Sequence, residues 1–377
     1  MIPERRRDAF VPDMIFKEAD PSMDLATYER RAFVAPFWES DLMLHETFWP
    51  VGDGEVAISL LFPADEVISL RSSDLQTEYE EGKDYFLRDG DLVIPAGSAV
   101  KVTPPDFYIS PTPRPNVHSK TGFAATGGGD LFFAETTAVI ERQYAVTYRH
   151  KAVWDGPTPP KILSLLPETA RRIRSGEAFT VGFFGDSITT GANSSSLYHR
   201  SPNAEMWPVM VTKELASRAG VELPYVNKAV GGTSSNWGAE TFGEAFPEKV
   251  PELLFLAFGM NDASGKRPTE AFIADMRSMI RQAREKAPAS ELVLIATTLP
   301  NPDAASFGGP HEAYEPALLA LAEEFPRVAA LPLTSFHKAL LRRKAFRDMT
   351  GNNINHPNDF LARVYASYIL SSLEDRA

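Results

Sequence analysis

From Phe179 onward, short apolar runs alternate with helical patterns, and this alternation leaves few folds open to the chain. The strand candidates are residues 181–184, 223–226, 253–258, 292–297 and 328–331. Helical patterns cover 207–219, 269–286, 312–325 and 359–373. Within 269–286 the apolar Phe272, Ile273, Met276, Met279 and Ile280 recur every three or four residues, which gives one buried face. Repeated β-α units place a parallel sheet between two helical layers, a three-layer doubly wound α/β domain.

The first 150 or so residues carry another pattern. Apolar runs at 56–62 and 67–70 are split by Pro63-Ala64-Asp65, and Tyr85-Phe86-Leu87 and Leu92-Val93-Ile94 flank Asp89-Gly90. An Asp-Gly between two such runs signals a hairpin, because Gly accepts the positive φ of the tight turn. With further candidates at 131–133 and 144–148, the region reads as a β-sandwich or jelly roll. The proline-dense stretch from Pro104 to Pro115 cannot be a central strand. Its Phe107 and Tyr108 could wall a cleft, or the stretch is a rigid surface loop or subunit contact, which leaves a homo-oligomer open. Gly156-Pro157-Thr158-Pro159-Pro160 reads as a linker, followed by a helix over 166–175. The expected division is a β domain over 1–155, a linker and lead-in helix over 156–178, and an α/β domain over 179–377.

Composition removes several function classes. A chain of 377 residues, 44% hydrophobic and 23% charged, is globular and long enough for two cores. It has no cysteine, so thiolate catalysis, disulfides and thiolate metal sites are excluded. A net charge of −12 disfavours nucleic acid and anionic membrane surfaces as partners. No apolar run approaches the length needed to span a bilayer. Nor does Met1-Ile2-Pro3-Glu4-Arg5-Arg6-Arg7-Asp8 lead into an apolar segment, so the expectation is a cytoplasmic protein. The seven histidines show no metal-ligand spacing, and Gly127-Gly128-Gly129-Asp130 lacks the lysine and helix of a phosphate cradle. No metal or cofactor is expected.

Four segments of the α/β region carry chemistry. Thr180-Val181-Gly182-Phe183-Phe184 runs into Gly185-Asp186-Ser187, a turn that would hold a serine hydroxyl up at the carboxyl end of a strand, where open sheets bind ligands. Asn227 through Gly232 follows the next strand, and its paired glycines let a backbone N–H face a ligand. Gly259-Met260-Asn261-Asp262 follows the most hydrophobic strand. Its Asn261 amide could donate to a developing oxyanion, or Asn261 and Asp262 could simply cap. Last, Asn352-Asn353-Ile354-Asn355-His356-Pro357 precedes the final helix, with Asp359 placed to N-cap it.

In this order, the four blocks resemble those of the SGNH, or GDSL, hydrolases, a family of serine esterases and lipases. The resemblance covers about 179–375 and implies a flavodoxin-like sheet. It implies Ser187 as nucleophile, His356 as base, and an oxyanion hole made by the Ser187 N–H, the Gly232 N–H and the Asn261 side chain. No Gly-x-Ser-x-Gly elbow occurs, so the ordinary α/β-hydrolase pattern fails. One position departs: the family usually has Asp three residues before the histidine, and here that residue is Asn353. An acid there fixes the imidazole tautomer and stabilises the imidazolium. Three alternatives stand: a backbone carbonyl orients His356, Asp348 folds back to do so, or activity has been lost. Trp237 could stack on a sugar ring, whereas Trp207 reads as core and His311 as a bystander.

The expected reaction is two-step acyl transfer through Ser187. A β-sandwich joined to such a domain is similar to some two-domain carbohydrate esterases, which implies an O-acetylated sugar or oligosaccharide as substrate. A short-chain acyl esterase or lipase is the alternative enzyme, and a carbohydrate-binding or scaffold protein with a relic hydrolase domain is the alternative of another class.

Overall fold

The computed structural model describes residues 23–114 and 122–374. The stretch Met1–Asp8, Pro115 and His118 therefore lie outside the described residues.

The first region folds as small antiparallel sheets. Strands β1 (Leu42–Phe48), β2 (Val56–Ile58), β3 (Glu66–Ser72), β4 (Glu78–Tyr79), β5 (Phe86–Arg88), β6 (Asp91–Ile94), β7 (Ile109–Ser110), β8 (Gly122–Ala124), β9 (Asp130–Phe132) and β10 (Tyr144–Arg149) are arranged in the orders β1-β10-β3-β4, β2-β6-β5 and β7-β9-β8. The Asp89-Gly90 hairpin is present: Arg88 pairs with Asp91, and both turn residues have positive φ, 55° and 86°. The proline-dense stretch contributes only a short helix, Pro105–Tyr108, and the edge strand β7. Strand β1 was not expected from the sequence. Its alternation is broken by a bulge between Met43 and Glu46, with His45 at φ 45°, and it buries His45 and Glu46 where apolar residues would be looked for.

The second region is the expected parallel sheet. Strands β11 (Val181–Gly185), β12 (Tyr225–Asn227), β13 (Leu253–Ala257), β14 (Glu291–Ile295) and β15 (Val328–Leu331) lie in the order β12-β11-β13-β14-β15. This is the 2-1-3-4-5 order of flavodoxin-like sheets. Val181 aligns with Tyr225 on one side and Leu253 on the other, so β11 and β13 meet where the winding direction reverses. The helices Trp207–Ala219 and Thr269–Lys286 fall where periodicity put them, and His311–Glu323 and Asp359–Ser372 lie within two residues of expectation. Ser235–Ala245 and Leu333–Leu340 were not foreseen; the first carries Gly238 and Gly243, which blur a helical pattern.

The two regions share an interior. One apolar cluster runs from Trp38, Phe62, Tyr148 and Trp154 to Phe183, Trp207, Phe336 and Tyr368. Trp38 packs edge-on against Phe336 at 5.3 Å. Within this interface Lys344 forms a fully buried ion pair with Glu46 of β1. Glu46 also accepts the Tyr148 hydroxyl at 2.6 Å and the Leu61 N–H at 2.9 Å. The 156–160 segment has no helix or strand, as its prolines dictate.

Candidate active site

At the carboxyl end of β11, Gly185 passes so close to the Ala257 carbonyl and the Thr189 hydroxyl that any side chain would collide with them. The chain then turns into the short helix Ser187–Thr190, N-capped by Asp186, whose Oδ1 accepts the Ile188 N–H at 3.0 Å. Burial pushes the Asp186 carboxyl up to about 7, against the pull of that N–H. Ser187 is the first residue of the helix, so its own N–H has no partner inside it.

The structure brings Ser187 and His356 together. The Ser187 hydroxyl donates to His356 Nε2 at 2.8 Å, with the two residues 9% and 8% exposed. His356 is carried by a turn wound around one side chain: Asn352 Oδ1 accepts the N–H groups of Ile354, Asn355 and His356, each at 3.0 Å. Thr350 and Pro357 close this turn as an isolated bridge. The turn is followed by Asn358, whose side chain caps the last helix; Asp359 was expected in that role and instead accepts the Ser195 N–H at 2.9 Å. Burial raises the Asp359 carboxyl to about 6.

The other ring nitrogen, Nδ1, has two partners that sequence reasoning missed. Asn193 Oδ1 lies 2.7 Å away, and Glu135 Oε2 lies 3.3 Å away. The Asn193 amide nitrogen is already committed to the Gly351 carbonyl and the Tyr198 hydroxyl, so its oxygen faces the ring. Nδ1 therefore carries the proton, and Nε2 is free to accept from serine. Glu135 follows β9 in the antiparallel region, and Asn352 Nδ2 donates to its other oxygen at 3.2 Å. Burial works to raise the Glu135 carboxyl, but His356 and Asn352 outweigh it and hold the group below the usual range. Asn193 had no sequence signal. Glu135 had a faint one, a carboxylate just after a strand in a chain whose expected acid had become Asn353.

Asp348 is not an orienting acid. It ends the short turn Phe346–Asp348, fully buried, and its carboxylate accepts the Trp49 N–H at 2.8 Å. Its carbonyl is taken by Thr47 and Asn358, so the turn serves as a socket for β1 rather than a partner of His356. Asn353 also points away from the imidazole. Held at φ 68°, it donates to the Phe132 carbonyl at 2.8 Å, while Asn301 donates to both its oxygens.

Opposite the histidine, Gly232 adopts φ 78° with open space where a side chain would stand. Asn261 is the second residue of the short helix Met260–Ser264 that follows β13, and its amide donates to the Thr233 carbonyl at 2.8 Å, which leaves its second hydrogen uncommitted to that bond. Asp262 ties these two segments by accepting the Ser235 N–H and hydroxyl at 3.0 and 2.6 Å. The segments that carry the three expected oxyanion donors follow β11, β12 and β13 in the chain.

Trp237 is half-buried and packs its ring against Phe184 at 5.5 Å, in the interior cluster under the Ser235–Ala245 helix. Trp207 is core, donating to the Ile188 carbonyl at 2.8 Å, and His311 is buried with its charge disfavoured by desolvation. Tyr108 donates to Asp303 at 3.0 Å, so the proline-dense stretch clasps the loop after β14. Among the described residues, no group of three or more His, Asp or Glu side chains is arranged to hold a metal ion.

Residues 183–363 match the family model described as GDSL-like Lipase/Acylhydrolase family, in agreement with the resemblance drawn from the four blocks. No curated protein matches the chain. Among solved structures, similarity extends to a two-domain esterase (CEX) active on acetylated mannans, co-crystallised with mannopentaose, at 22% identity and TM-score 0.46 over 57% of this chain and 54% of that one. The similarity thus spans about half the length of that esterase. Others are Axe2, an acetylxylan esterase from Geobacillus stearothermophilus (16% identity, TM-score 0.44, 54% of this chain and 97% of that one), and a putative lipolytic protein of G-D-S-L family from Desulfitobacterium hafniense DCB-2 (16%, 0.39, 52% and 99%).

Proposed function

With the acylhydrolase match over residues 183–363 as premise, we propose that this chain is a serine carboxylic ester hydrolase whose substrate is an O-acetylated sugar or oligosaccharide. The observation that carries the esterase reading is the 2.8 Å contact between Ser187 Oγ and His356 Nε2, with Nδ1 already committed as donor. His356 takes the hydroxyl proton as Oγ bonds to the ester carbonyl carbon. The oxygen charge that develops is met by the Ser187 N–H, the Gly232 N–H and the Asn261 amide. As the bond to the alkoxide breaks, His356 returns the proton to it, so that the alcohol departs and the acyl group remains on Ser187 Oγ. Water, deprotonated by the same ring, attacks the acyl-serine, and the serine oxygen departs with that proton, releasing the acid.

Two features support a small acyl group on a polar alcohol. The chain at Gly231 passes beside Ser187 closely enough that a Cβ added there would fall 3.7 Å from the Ser187 Cβ. The side chains set against His356 are polar, the Asn193 amide and the half-exposed Glu135 carboxylate, which suits a polyhydroxylated leaving group better than a lipid.

The test is hydrolysis of 4-nitrophenyl acetate, butyrate and octanoate, then of acetylated xylo-oligosaccharides, by wild type and Ser187→Ala. Activity greatest on acetate and lost in the variant is expected. Equal rates for the two proteins would remove Ser187 as nucleophile, and a rate rising with acyl length would replace the sugar ester by a lipid ester.

A further inference from the structure

We infer that Glu135, delivered by the antiparallel region, is the charged positioning residue of His356 and takes over the task of the acid absent at position 353. The inference rests on the reading of Ser187 as nucleophile. Its geometric basis is a chain of contacts. Asn353 donates to the carbonyl of Phe132, the last residue of β9, and so fixes the strand end from which Glu135 departs three residues later. The Tyr198 hydroxyl donates to the Glu135 carbonyl at 2.6 Å, and the same Tyr198 oxygen receives the Asn193 amide at 3.1 Å. Asn352 completes the arrangement: its oxygen gathers the N–H groups of the histidine turn while its nitrogen donates to the Glu135 carboxylate.

The work of a triad acid is thereby divided between two side chains. Asn193, neutral and fully buried at 2.7 Å, fixes the tautomer and the ring plane. Glu135, at 3.3 Å with its side chain 48% exposed, brings the negative charge that favours the imidazolium formed during proton transfer. The other carboxylates of the turn are engaged elsewhere, Asp348 on the Trp49 N–H and Asp359 on the Ser195 N–H. Among the described residues, Glu135 is the carboxylate that meets the ring.

The experiment compares full-length wild type, Glu135→Gln, Glu135→Asp and Ser187→Ala on 4-nitrophenyl acetate across pH. Glutamine keeps an oxygen for Asn352 and removes the charge. The expected result is a kcat loss of about 10–100-fold with KM little changed, a partly exposed charge at this range being screened by solvent. The acid limb of the kcat/KM profile should move to lower pH, because the imidazolium loses its counter-charge. Glu135→Asp should recover part of both. A Glu135→Gln enzyme within threefold of wild type, or one that loses kcat with an unmoved pH profile, overturns the inference. An active Ser187→Ala overturns the nucleophile reading instead, so the two failures are told apart. A Tm for Glu135→Gln close to that of wild type separates lost charge from lost folding.

Discussion

The Asn353 side chain reaches the Phe132 carbonyl oxygen at 2.8 Å, joining the turn that carries His356 to strand β9 of the other region. An aspartate at this position, the residue the family pattern favours, has no hydrogen to give. Asn353→Asp should therefore leave the Phe132 carbonyl unpaired in a buried site and lower stability by about 1–3 kcal/mol, measured by urea unfolding. Activity should fall as well, since Glu135 departs from the same strand end. A variant with raised kcat would mean that the carboxylate swings back to His356.

The buried pair of Lys344 and Glu46 gives a second test. Lys344→Met removes one charge and strands the other in a fully enclosed site, at an expected cost of about 3–5 kcal/mol. Adding Glu46→Gln should return much of that loss, and a double-mutant cycle measures the coupling. Additive single effects would show that the two side chains do not depend on each other.

Asn261 and Asp348 should behave oppositely in kinetics. Asn261→Ala removes the proposed oxyanion donor and should reduce kcat by about 10²–10³ with KM nearly unchanged. Asp348→Asn keeps an oxygen for the Trp49 N–H and does not touch the imidazole, so kcat should stay within about tenfold, whereas loss of an orienting acid costs about 10⁴ in a triad protease. A large kcat defect in Asp348→Asn would return that residue to the site.

Stability should also depend on pH through Asp186. Its folded-state value near 7 lies above the unfolded value near 4, so between these pH values the native protein holds a proton that the unfolded chain has released. The stability this provides is complete below about pH 4 and lost as pH rises to about 7. Asp186→Asn, which still offers an oxygen to the Ile188 N–H, should show a flatter Tm between pH 5 and 8 than wild type. Asp359 titrates in both proteins alike, so the difference reports Asp186. Parallel curves would refute it.

Much of this architecture could be read from residue patterns because the patterns are local. Helices such as Thr269–Lys286 write their buried face every three or four residues, and strands β11, β13 and, after Glu291, β14 carry no polar side chain because both faces are covered. Ser187, Gly232, Asn261 and His356 were legible for a similar reason, as each sits in a short turn at a strand end or before a helix. Asn193 and Glu135 were not. Their places at the ring depend on contacts spanning 163 residues for Asn193 and, for the Asn352 link, 217 for Glu135, distances over which no periodicity speaks. Asp348 misled because nearness in sequence to His356 suggested a fold-back, while burial against β1 had already claimed its carboxylate.

The shared interior also bears on how such a protein can diversify. A recombination event that exchanged the antiparallel region for an unrelated sugar-binding module would remove Glu46 from beside Lys344 and Phe132 from beside Asn353, leaving polar groups exposed to a foreign surface. A change in what the enzyme accepts that spares this seam would fall in the exposed loop around Gly231 and Gly232.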